Sequence, residues 1–471
     1  MERLIFETEF KYIGRQEQIR CDPKYRYFYD VKKEVTIEQL TPRFSEDRLR
    51  SILKLHKTRT LKKGLLDDEY ILIELDDIEP GSGEIKRERK VEEIGSDKTS
   101  FGDSDILVSK LMPQAGHIIL NDKTKKYIGT TELIGFKIIN SRIDKKYLLY
   151  LLLSIKENFE LLTSGKTHPR IQIQDILRIK IPLPPREIQE NMIKKIEEIE
   201  AKIKEDKQKL IPLQDVIEKV FIKYGVKSTK FKKKKFETFT TYALKIADQK
   251  FLRCGAQYRA FWDVHNGLLF EDKTKFPLVK LGSVMKLHKT KTLKKGVLDR
   301  EYILLDLEDL EPFTGKIANQ EKLVAEIGSD KVVFNGADLI VTKIDPYLGY
   351  TFVNDKSKSF IGTTELLPFV VNKEISNPEY LKYLLLSREY LFKSNLLMYG
   401  KRHPRIHPLD LLNIKIPLPS DLETQQRIVN EIQEQEKINE IAQGKMKALR
   451  KEINEIILTT LTEDKKIGVM S

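Results

Sequence analysis

The chain repeats itself, and this internal repeat limits its fold more than any other feature of the sequence. Residues 55–85 (LHKTRTLKKGLLDDEYILIELDDIEPGSGEI) match residues 287–317 (LHKTKTLKKGVLDREYILLDLEDLEPFTGKI) at roughly two positions in three. The match continues, in the same order, through EIGSDK, IGTTEL, YLxYLLLS, GKxHPRI and IKIPLP. A chain of 471 residues suits two domains of ordinary size. The repeat therefore predicts two similar globular modules.

Each module is predicted to be mixed α and β, an α/β fold in the broad sense of α+β. Short apolar segments bounded by Gly, Asp or Pro, such as residues 70–75 (YILIEL) and 302–307 (YILLDL), predict strands. Residues 147–154 and 380–387 contain neither Gly nor Pro and carry Leu and Tyr on several sides. This pattern is typical of a buried helix.

A long helix is predicted after each module. Apolar residues recur every three or four positions from Ile188 to Val220 and again from Ile428 to Ile456, beside charged faces. These seams favour two helices that pair as an antiparallel coiled coil; packing of each helix on its own module is the alternative. Pro212 lies inside the first helix and Gly444 inside the second, where each predicts a kink or a local irregularity.

The predicted order along the chain has six parts. They are a first module (1–185), a first long helix (186–224), a basic linker (225–247), a second module (248–419), a second long helix (420–462) and a C-terminal tail (463–471). The linker is inferred from residues 227–241, which are basic and lack apolar periodicity. Its lysine run at 232–235 also suits phosphate contact.

Charge and cysteine content narrow the class of protein. The chain has 84 Lys and Arg against 71 Asp and Glu, a formal charge of +13, which favours a polyanionic partner; a basic protein without one is the alternative. Cys21 and Cys254 are its two cysteines, which excludes a disulfide framework and a Cys/His metal cluster and predicts a cytoplasmic location. We find no export signal and no apolar segment long enough to span a membrane.

Three repeated motifs suit contact with DNA. KTRTLKK and KTKTLKK alternate cations with hydroxyls and are predicted to be phosphate-binding loops, or solvated basic loops. GKTHPR and GKRHPR predict turns from which Arg can bind guanine with two hydrogen bonds, a purely structural turn being the alternative. GTTE suits base contacts or a tight turn between strands. The candidate DNA-binding residues are Lys57, Arg59, Lys62, Lys63, Thr130, Thr131, Lys166, His168, Arg170, Lys289, Lys291, Lys294, Lys295, Thr363, Thr364, Lys401, Arg402, His403 and Arg405.

No catalytic or metal-binding constellation is predicted in this chain. The sequence contains no Asn/Asp-Pro-Pro-aromatic motif for amino methylation, no GxxxxGK[ST] phosphate loop and no GxSxG nucleophile turn. Acidic residues cluster between Glu74 and Glu79, but no lysine stands at the spacing of a metal-dependent nuclease. Nuclease activity is therefore not favoured.

The order module, helix, module, helix resembles the specificity subunit of type I restriction-modification enzymes. The resemblance rests on IPLP before each helix, on helix starts that contain Gln (EIQENMI at 187, ETQQRIV at 423) and on FPLVKLGSV at 276. The first copy departs from this opening, with FSEDRLRSI at 44. A stand-alone DNA-binding regulator or nuclease, and a coiled-coil scaffold, are the alternatives.

The resemblance implies a subunit without catalysis of its own. Two target-recognition domains would each read one half of a bipartite site in double-stranded DNA, while the helices set the half-site spacing and dock two DNA-methyltransferase subunits. Restriction subunits can join such a complex. No cofactor is then expected in this chain, since S-adenosylmethionine binds the methyltransferase, and ATP and Mg bind the restriction subunit.

The likeness of the two modules predicts similar half-sites and hence an interrupted, nearly palindromic target. Asymmetry between the half-sites is expected where the copies diverge. These places are Gly81-Ser82 against Phe313-Thr314, and residues 112–117 (MPQAGH) against 345–350 (DPYLGY).

Overall fold

A computed structural model describes residues 43–165, 168–230, 258, 261, 274–400 and 402–462. The chain divides into two compact units, one of residues 1–208 with 444–471 and the other of residues 209–443. Cys21, Cys254, the lysine run at 232–235 and the predicted C-terminal tail lie outside the described residues. The residue bounds of the six segments named above stay a prediction.

The first unit alternates short strands with helices. Its strands are β1 (Glu46–Arg48), β2 (Leu53–Leu55), β3 (Arg59–Leu61), β4 (Gly64–Ile73), β5 (Arg89–Ile94), β6 (Lys98–Ser100), β7 (Ile106–Ser109), β8 (Ile118–Leu120), β9 (Tyr127–Gly129), β10 (Leu133–Ile138), β11 (Thr163–Ser164), β12 (Arg170–Ile171) and β13 (Lys180–Pro182). Its helices are α1 (Lys145–Ser154), α2 (Ile173–Arg178) and α3 (Arg186–Gln208).

The second unit begins with helix α4 (Leu213–Tyr224). Its strands are β14 (Leu278–Lys280), β15 (Met285–Leu287), β16 (Thr292–Leu293), β17 (Gly296–Leu305), β18 (Leu323–Ile327), β19 (Lys331–Val333), β20 (Leu339–Thr342), β21 (Thr351–Val353), β22 (Phe360–Thr363), β23 (Leu366–Val371) and β24 (Lys415–Pro417). Its further helices are α5 (Leu281–Val284), α6 (Pro378–Leu386), α7 (Arg388–Leu396) and α8 (Pro408–Asn413). The last helix, α9 (Leu422–Leu461), contributes residues 422–443 to this unit and its remainder to the first.

A helix and two sheets form three layers in the first unit. The four-stranded sheet has the order β2-β10-β7-β8 and the five-stranded sheet β3-β6-β9-β4-β5, and only the β4–β9 pair is parallel among these described strands. Successive side chains of a strand point to opposite faces. Ile106 and Val108 therefore pack in the cluster that contains α1, whereas Leu107 packs with Ile73 of the five-stranded sheet and with Phe101, which follows β6.

The second unit repeats this layering strand for strand. Its sheets have the orders β15-β23-β20-β21 and β16-β19-β22-β17-β18, and β17 is parallel to β22. Leu339 and Val341 pack in the cluster that contains α6, and Ile340 packs with Leu305 and Phe334. The predicted mixed α and β fold in two copies is thereby confirmed.

Two of the repeated motifs form the joint between module and helix. The buried hydroxyl of Tyr147 donates to the carbonyl of Pro182 at 2.6 Å, and Tyr380 donates to Pro417 at 2.9 Å. The Gln side chain near each helix start is fully buried: Gln189 donates to the Pro184 carbonyl at 2.9 Å and accepts from a backbone N–H at 2.8 Å. Gln425 repeats this bonding with the carbonyl of Pro419 at 2.8 Å. The YLxYLLLS, IPLP and Gln signatures are thus explained by structure alone.

The long helices pair within each unit. In the first unit, Ile196 and Ile199 of α3 share one hydrophobic cluster with Ile453 and Ile457 of α9, together with the module's own core. In the second unit, Lys223 near the end of α4 donates to Glu431 near the start of α9 at 2.7 Å. The predicted antiparallel pairing is therefore present, and each helix also packs on its own module.

The first predicted long helix is broken at Pro212. It forms α3 and α4, and the carbonyl of Pro212 accepts the first backbone hydrogen bonds of α4. Asn439 of α9 satisfies the freed backbone, since its Nδ2 donates to the carbonyl of Ile211 at 2.7 Å and its Oδ1 accepts from the Ile211 N–H at 3.3 Å. By contrast, α9 runs through Gly444 without interruption.

Part of the predicted seam of α9 was wrong. The predicted seam from Ile428 to Ile456 includes Ile438 and Ile441, but their exposed fractions are 47% and 52%. The polar Asn439 and the small Ala442 take the inward positions there, and a pattern built from large apolar residues misses both. Lys227, which lies in the predicted basic linker (225–247), is buried and donates to Glu218 at 2.9 Å.

A buried aspartate just before β20 forms a charge network with two lysines in the second unit. Asp338, whose side chain is 3% exposed, accepts from the Val371 N–H at 3.0 Å and pairs with Lys356 at 2.7 Å and Lys373 at 2.9 Å. Burial opposes ionisation, but the two lysines outweigh it and hold the pKa of Asp338 below its ordinary value. Asp105 has the corresponding position and a lowered pKa in the first unit.

We expect Asp338→Asn to lower the free energy of unfolding by about 1–3 kcal/mol at pH 7, because a charge-assisted network is lost. A lowered folded pKa stabilises the protein above the unfolded pKa of about 4 and ceases to do so as pH falls through the folded value. The difference between variant and native chain should therefore shrink below pH ~4. Urea unfolding of both chains at pH 7 and pH 3 measures it, and an equal difference at both values would contradict the assignment.

Candidate DNA interface

The described residues of the GKxHPR motif lie at the surface of each unit. In the first unit the motif joins β11 to β12, with Gly165 at φ 102°, and in the second unit Tyr399 and Arg405 bridge its two ends. His168, Arg402 and His403 are exposed. Lys166 and Lys401 lie outside the described residues.

The IGTTEL motif forms a tight turn between two sheets. Its first residues end β9 and β22, and the strands that follow, β10 and β23, belong to the four-stranded sheets. Thr131 and Thr364 are exposed, whereas Thr130 and Thr363 are half-buried and each accepts a weak hydrogen bond from the N–H of the following Glu. Of the two predicted roles, the turn is therefore present.

The glycine of this motif allows close packing. A Cβ built on Gly129 would lie 2.5 Å from the Ile73 carbonyl, and one on Gly362 would lie 2.5 Å from the Phe334 ring. Real Cβ atoms do not approach that closely, so any larger residue would push the turn away from the sheet.

These two motifs meet in an ion pair that the sequence pattern did not reveal. Arg170 holds Glu132 with hydrogen bonds of 3.0–3.2 Å from Nε and Nη2, and Arg405 holds Glu365 with bonds of 2.9 and 3.0 Å. The glutamates raise the pKa of both arginines. Nη1 of each arginine also donates to a backbone carbonyl, at 3.4 Å to His168 and 2.9 Å to His403.

The ion pair fixes the arginine without burying it. The side chains of Arg170 and Arg405 are 46% and 37% exposed. Glu132 and Glu365 occupy the Nε–Nη2 side of each guanidinium, and the bond to the backbone carbonyl uses one of the two N–H groups of Nη1. Each nitrogen at the Nη1–Nη2 end therefore carries a second N–H. That end has the donor spacing that binds O6 and N7 of guanine.

A third segment adjoins this pair. The Lys110 N–H donates to the Glu132 carbonyl at 2.8 Å, and the Lys343 N–H to the Glu365 carbonyl at 2.9 Å. Nζ of Lys343 lies 3.9 Å from the Glu365 carboxylate. We call Lys110, Glu132 and Arg170, with their counterparts Lys343, Glu365 and Arg405, the Arg–Glu site of each unit.

The KTxTLKK segments were predicted as loops but form edge strands. They contain β3 and β16, the first strands of the two five-stranded sheets. An edge strand satisfies half of its backbone groups and still presents exposed side chains, which explains why the basic composition suggested a loop. Lys57, Arg59, Lys62 and Lys63 are exposed, as are Lys289, Lys291, Lys294 and Lys295.

The EIGSDK motif holds the last two lysines of that segment. Asp97 accepts from Nζ of Lys62 at 2.8 Å and from the Lys63 N–H at 3.0 Å, and Asp330 does the same for Lys294 and Lys295. The hydrogen bond raises the pKa of Lys62, so its charge persists. Arg59 and Lys291 pair more loosely, with Asp67 at 3.6 Å and Asp299 at 3.9 Å.

Sheet register brings these lysines beside the threonine turn. Thr60 pairs with Thr99, and Thr99 with Gly129, so β3 and β9 run in the same direction two strands apart, a separation of about 10 Å. Lys62 and Lys63 thus leave the same end of the sheet as Thr130 and Thr131. The corresponding register in the second unit is Thr292, Val332 and Gly362.

The two lysines at the start of the second segment lie elsewhere. Lys289 and Lys291 line a groove of about 450 Å³ with His288, Arg300 and Tyr302. The groove is at the opposite end of β16 from Lys294, because Lys289 and Lys291 precede this strand and Lys294 follows it.

The acidic cluster after β4 serves structure. Asp77 is fully buried and pairs with Arg87 at 2.7 Å and with Arg89, while Glu74 accepts from Lys98 at 2.9 Å. Lys98 is thus a lysine near the acidic cluster, although it does not stand at the sequence spacing of a metal-dependent nuclease. In this structure it neutralises the Glu74 carboxylate. Among the described residues, no group of His, Cys, Asp and Glu could hold a metal ion, and no helix could cross a membrane.

Comparison with known families matches the two copies separately. The model of the type I restriction modification DNA specificity domain matches residues 45–214 and again residues 274–451, that is, each module with the helix after it. The chain belongs to this family. It is a specificity subunit of a type I restriction-modification system, the DNA-recognition component.

The chain is similar to a named specificity subunit and to two solved structures. The specificity subunit of type I restriction enzyme MjaVIII from Methanocaldococcus jannaschii is 25% identical over 384 residues, 79% of this chain and 82% of that protein. The S subunit from M. genitalium has 14% identity and a TM-score of 0.41, covering 90% of this chain and 97% of its own. The HsdS subunit from Thermoanaerobacter tengcongensis has 16% identity and a TM-score of 0.32, with 90% and 98% covered.

Proposed function

We propose that each module reads one half of a bipartite site in double-stranded DNA with the end of its five-stranded sheet and the adjoining Arg–Glu site. One observation carries this proposal: in both units the lysine pair after the edge strand, the threonines of IGTTEL and the arginine of the Arg–Glu site lie at the surface, although their motifs are far apart in sequence. Lysine pairs such as Lys62 and Lys63 suit phosphates, and a fixed arginine suits a base edge.

The proposed role involves no catalysis by this chain. Two DNA-methyltransferase subunits dock on the paired helices and bind S-adenosylmethionine, and restriction subunits that use ATP and Mg can join. The helices set the half-site spacing. Because the two Arg–Glu sites have the same geometry, the half-sites are similar and the target is an interrupted, nearly palindromic sequence.

The test is to map methylated bases in DNA from a host that expresses this chain with its methyltransferase subunit, against a host with the methyltransferase alone. We expect one bipartite, nearly palindromic motif that appears only with this chain. Methylation without sequence preference, or the same motif without this chain, would contradict the recognition role, and two unrelated half-sites would contradict the symmetry. Cleavage of DNA by the purified chain with Mg²⁺ would contradict the absence of catalysis.

A further inference from the structure

The two copies keep the same backbone and change the side chain at one position beside the Arg–Glu site. Met112 and Asp345 begin the divergent loops, both in the left-handed conformation, with φ of 46° and 43°. The N–H of Met112 donates to the Pro169 carbonyl at 2.9 Å, and the N–H of Asp345 donates to the Pro404 carbonyl at 2.9 Å. The neighbouring loop therefore sets this backbone, since methionine rarely adopts such a conformation by itself.

In both units the backbone beside this position is bonded to the arginine of the Arg–Glu site. The preceding residues, Leu111 and Ile344, form backbone bridges with Arg170 and Arg405. Met112 is 47% exposed. Glu365 raises the pKa of Arg405 most, and the Asp345 carboxylate adds a smaller contribution in the same direction.

The other divergent place contacts the far end of this loop and not its beginning. The Gly81 N–H donates to Gly116, at the far end of the loop that Met112 begins, and the Phe313 N–H donates likewise to Leu348. Glu79, two residues before Gly81, pairs with Lys207 and Arg450 of the long helices. Of the two divergent places, only 112 and 345 adjoin the Arg–Glu site.

We propose that the residue at 112 and 345 determines the base by which the two half-sites differ, beside a guanine that both modules read. The inference rests on the proposed function. A thioether packs against the 5-methyl group of thymine and has no strong acceptor, whereas a carboxylate accepts from the 4-amino group of cytosine. The first module therefore reads thymine next to the shared contact, and the second module reads cytosine.

The exchange variants Met112→Asp and Asp345→Met test this in the complete methyltransferase complex, with methylated sites mapped by sequencing. We expect Met112→Asp to change thymine to cytosine at one position of the first half-site, and Asp345→Met to make the opposite change in the second. Since one mismatched base pair typically lowers affinity roughly 5- to 150-fold, we expect a change of that size in base preference. The exchange Glu92→Ala with Ala325→Glu is the matched control, because it swaps a divergent pair that is exposed on β5 and β18.

A second variant guards against strain in the left-handed backbone. Asp345→Asn keeps a residue type that tolerates this conformation, but its neutral amide accepts more weakly than a carboxylate. We expect the preference for cytosine to fall with unchanged thermal unfolding. If the native complex reads a bipartite site and none of these variants alters any position of it, this inference is wrong and the proposed function stands. If the native complex shows no site preference, the proposed function itself is wrong.

Discussion

Replacement of Arg170 and Arg405 by alanine is expected to abolish the preference of the methyltransferase complex for its site. Each arginine, held by its glutamate at 2.9–3.2 Å, presents two N–H groups in a fixed plane, and one bidentate contact with guanine discriminates against other bases roughly 5- to 150-fold. When both contacts are lost, the total loss of selectivity is the product of the losses at the two half-sites. The measurement is DNA binding by the complex to the methylated motif and to a scrambled sequence.

Two controls separate base reading from charge. Arg170→Lys with Arg405→Lys keeps the positive charge and loses the planar pair of donors, so it should resemble the alanine variant in selectivity. Lys62→Ala and Lys63→Ala, with Lys294→Ala and Lys295→Ala, should weaken binding to all sequences alike and flatten its salt dependence. Unchanged selectivity in the alanine variant would remove the arginines from the base contacts.

Ile457→Ala is expected to lower the free energy of unfolding of the first unit by about 2–5 kcal/mol, because it leaves a cavity in a packed core. Ile457 is 1% exposed and lies in one cluster with Ile196 of α3 and with the module's own core. For a unit of this size the change corresponds to a fall in the unfolding midpoint of roughly 5–20 °C.

The next residue along the helix provides the matched control for this prediction. Leu458 is 42% exposed, so Leu458→Ala removes a side chain of the same size from a partly solvated position and should change the midpoint far less. Calorimetry of the full chain measures both variants. Equal midpoints for the two would show that α9 does not contribute to the core of the first unit.

The sequence predicted the elements of this fold well because each depends on local pattern. The strands around Ile71 and Ile303, the helices that begin near Tyr147 and Tyr380 and the irregularity at Pro212 all follow from periodicity or from backbone chemistry within a few residues. The family resemblance depended on the same local motifs, now seen as the buried joint between module and helix.

Contacts between distant residues could not be predicted in the same way. Glu132 and Arg170 are separated by 38 residues, and no periodicity pairs them; the signal available was that IGTTEL keeps its glutamate in both copies. The edge strand β3 resembled a loop because its exposed side chains are basic and one neighbour is missing. The α9 seam was predicted wrongly at Ile438 because the inward position there belongs to Asn439, whose side chain bonds to the backbone of Ile211 where the first long helix is interrupted.

Because α9 contributes residues to both units, it sets the order in which this protein can complete its folding. The core of the first unit needs Ile453, Ile457 and Leu461, which follow the whole second unit in sequence. During synthesis at roughly 5–20 residues per second, the roughly 250 residues between α3 and the end of α9 take on the order of 10–50 s to appear. The apolar surface of the first unit that packs against α9 therefore stays exposed until α9 has been synthesised. A chain that ends before α9 keeps this surface exposed, which makes it a substrate for chaperones and proteases.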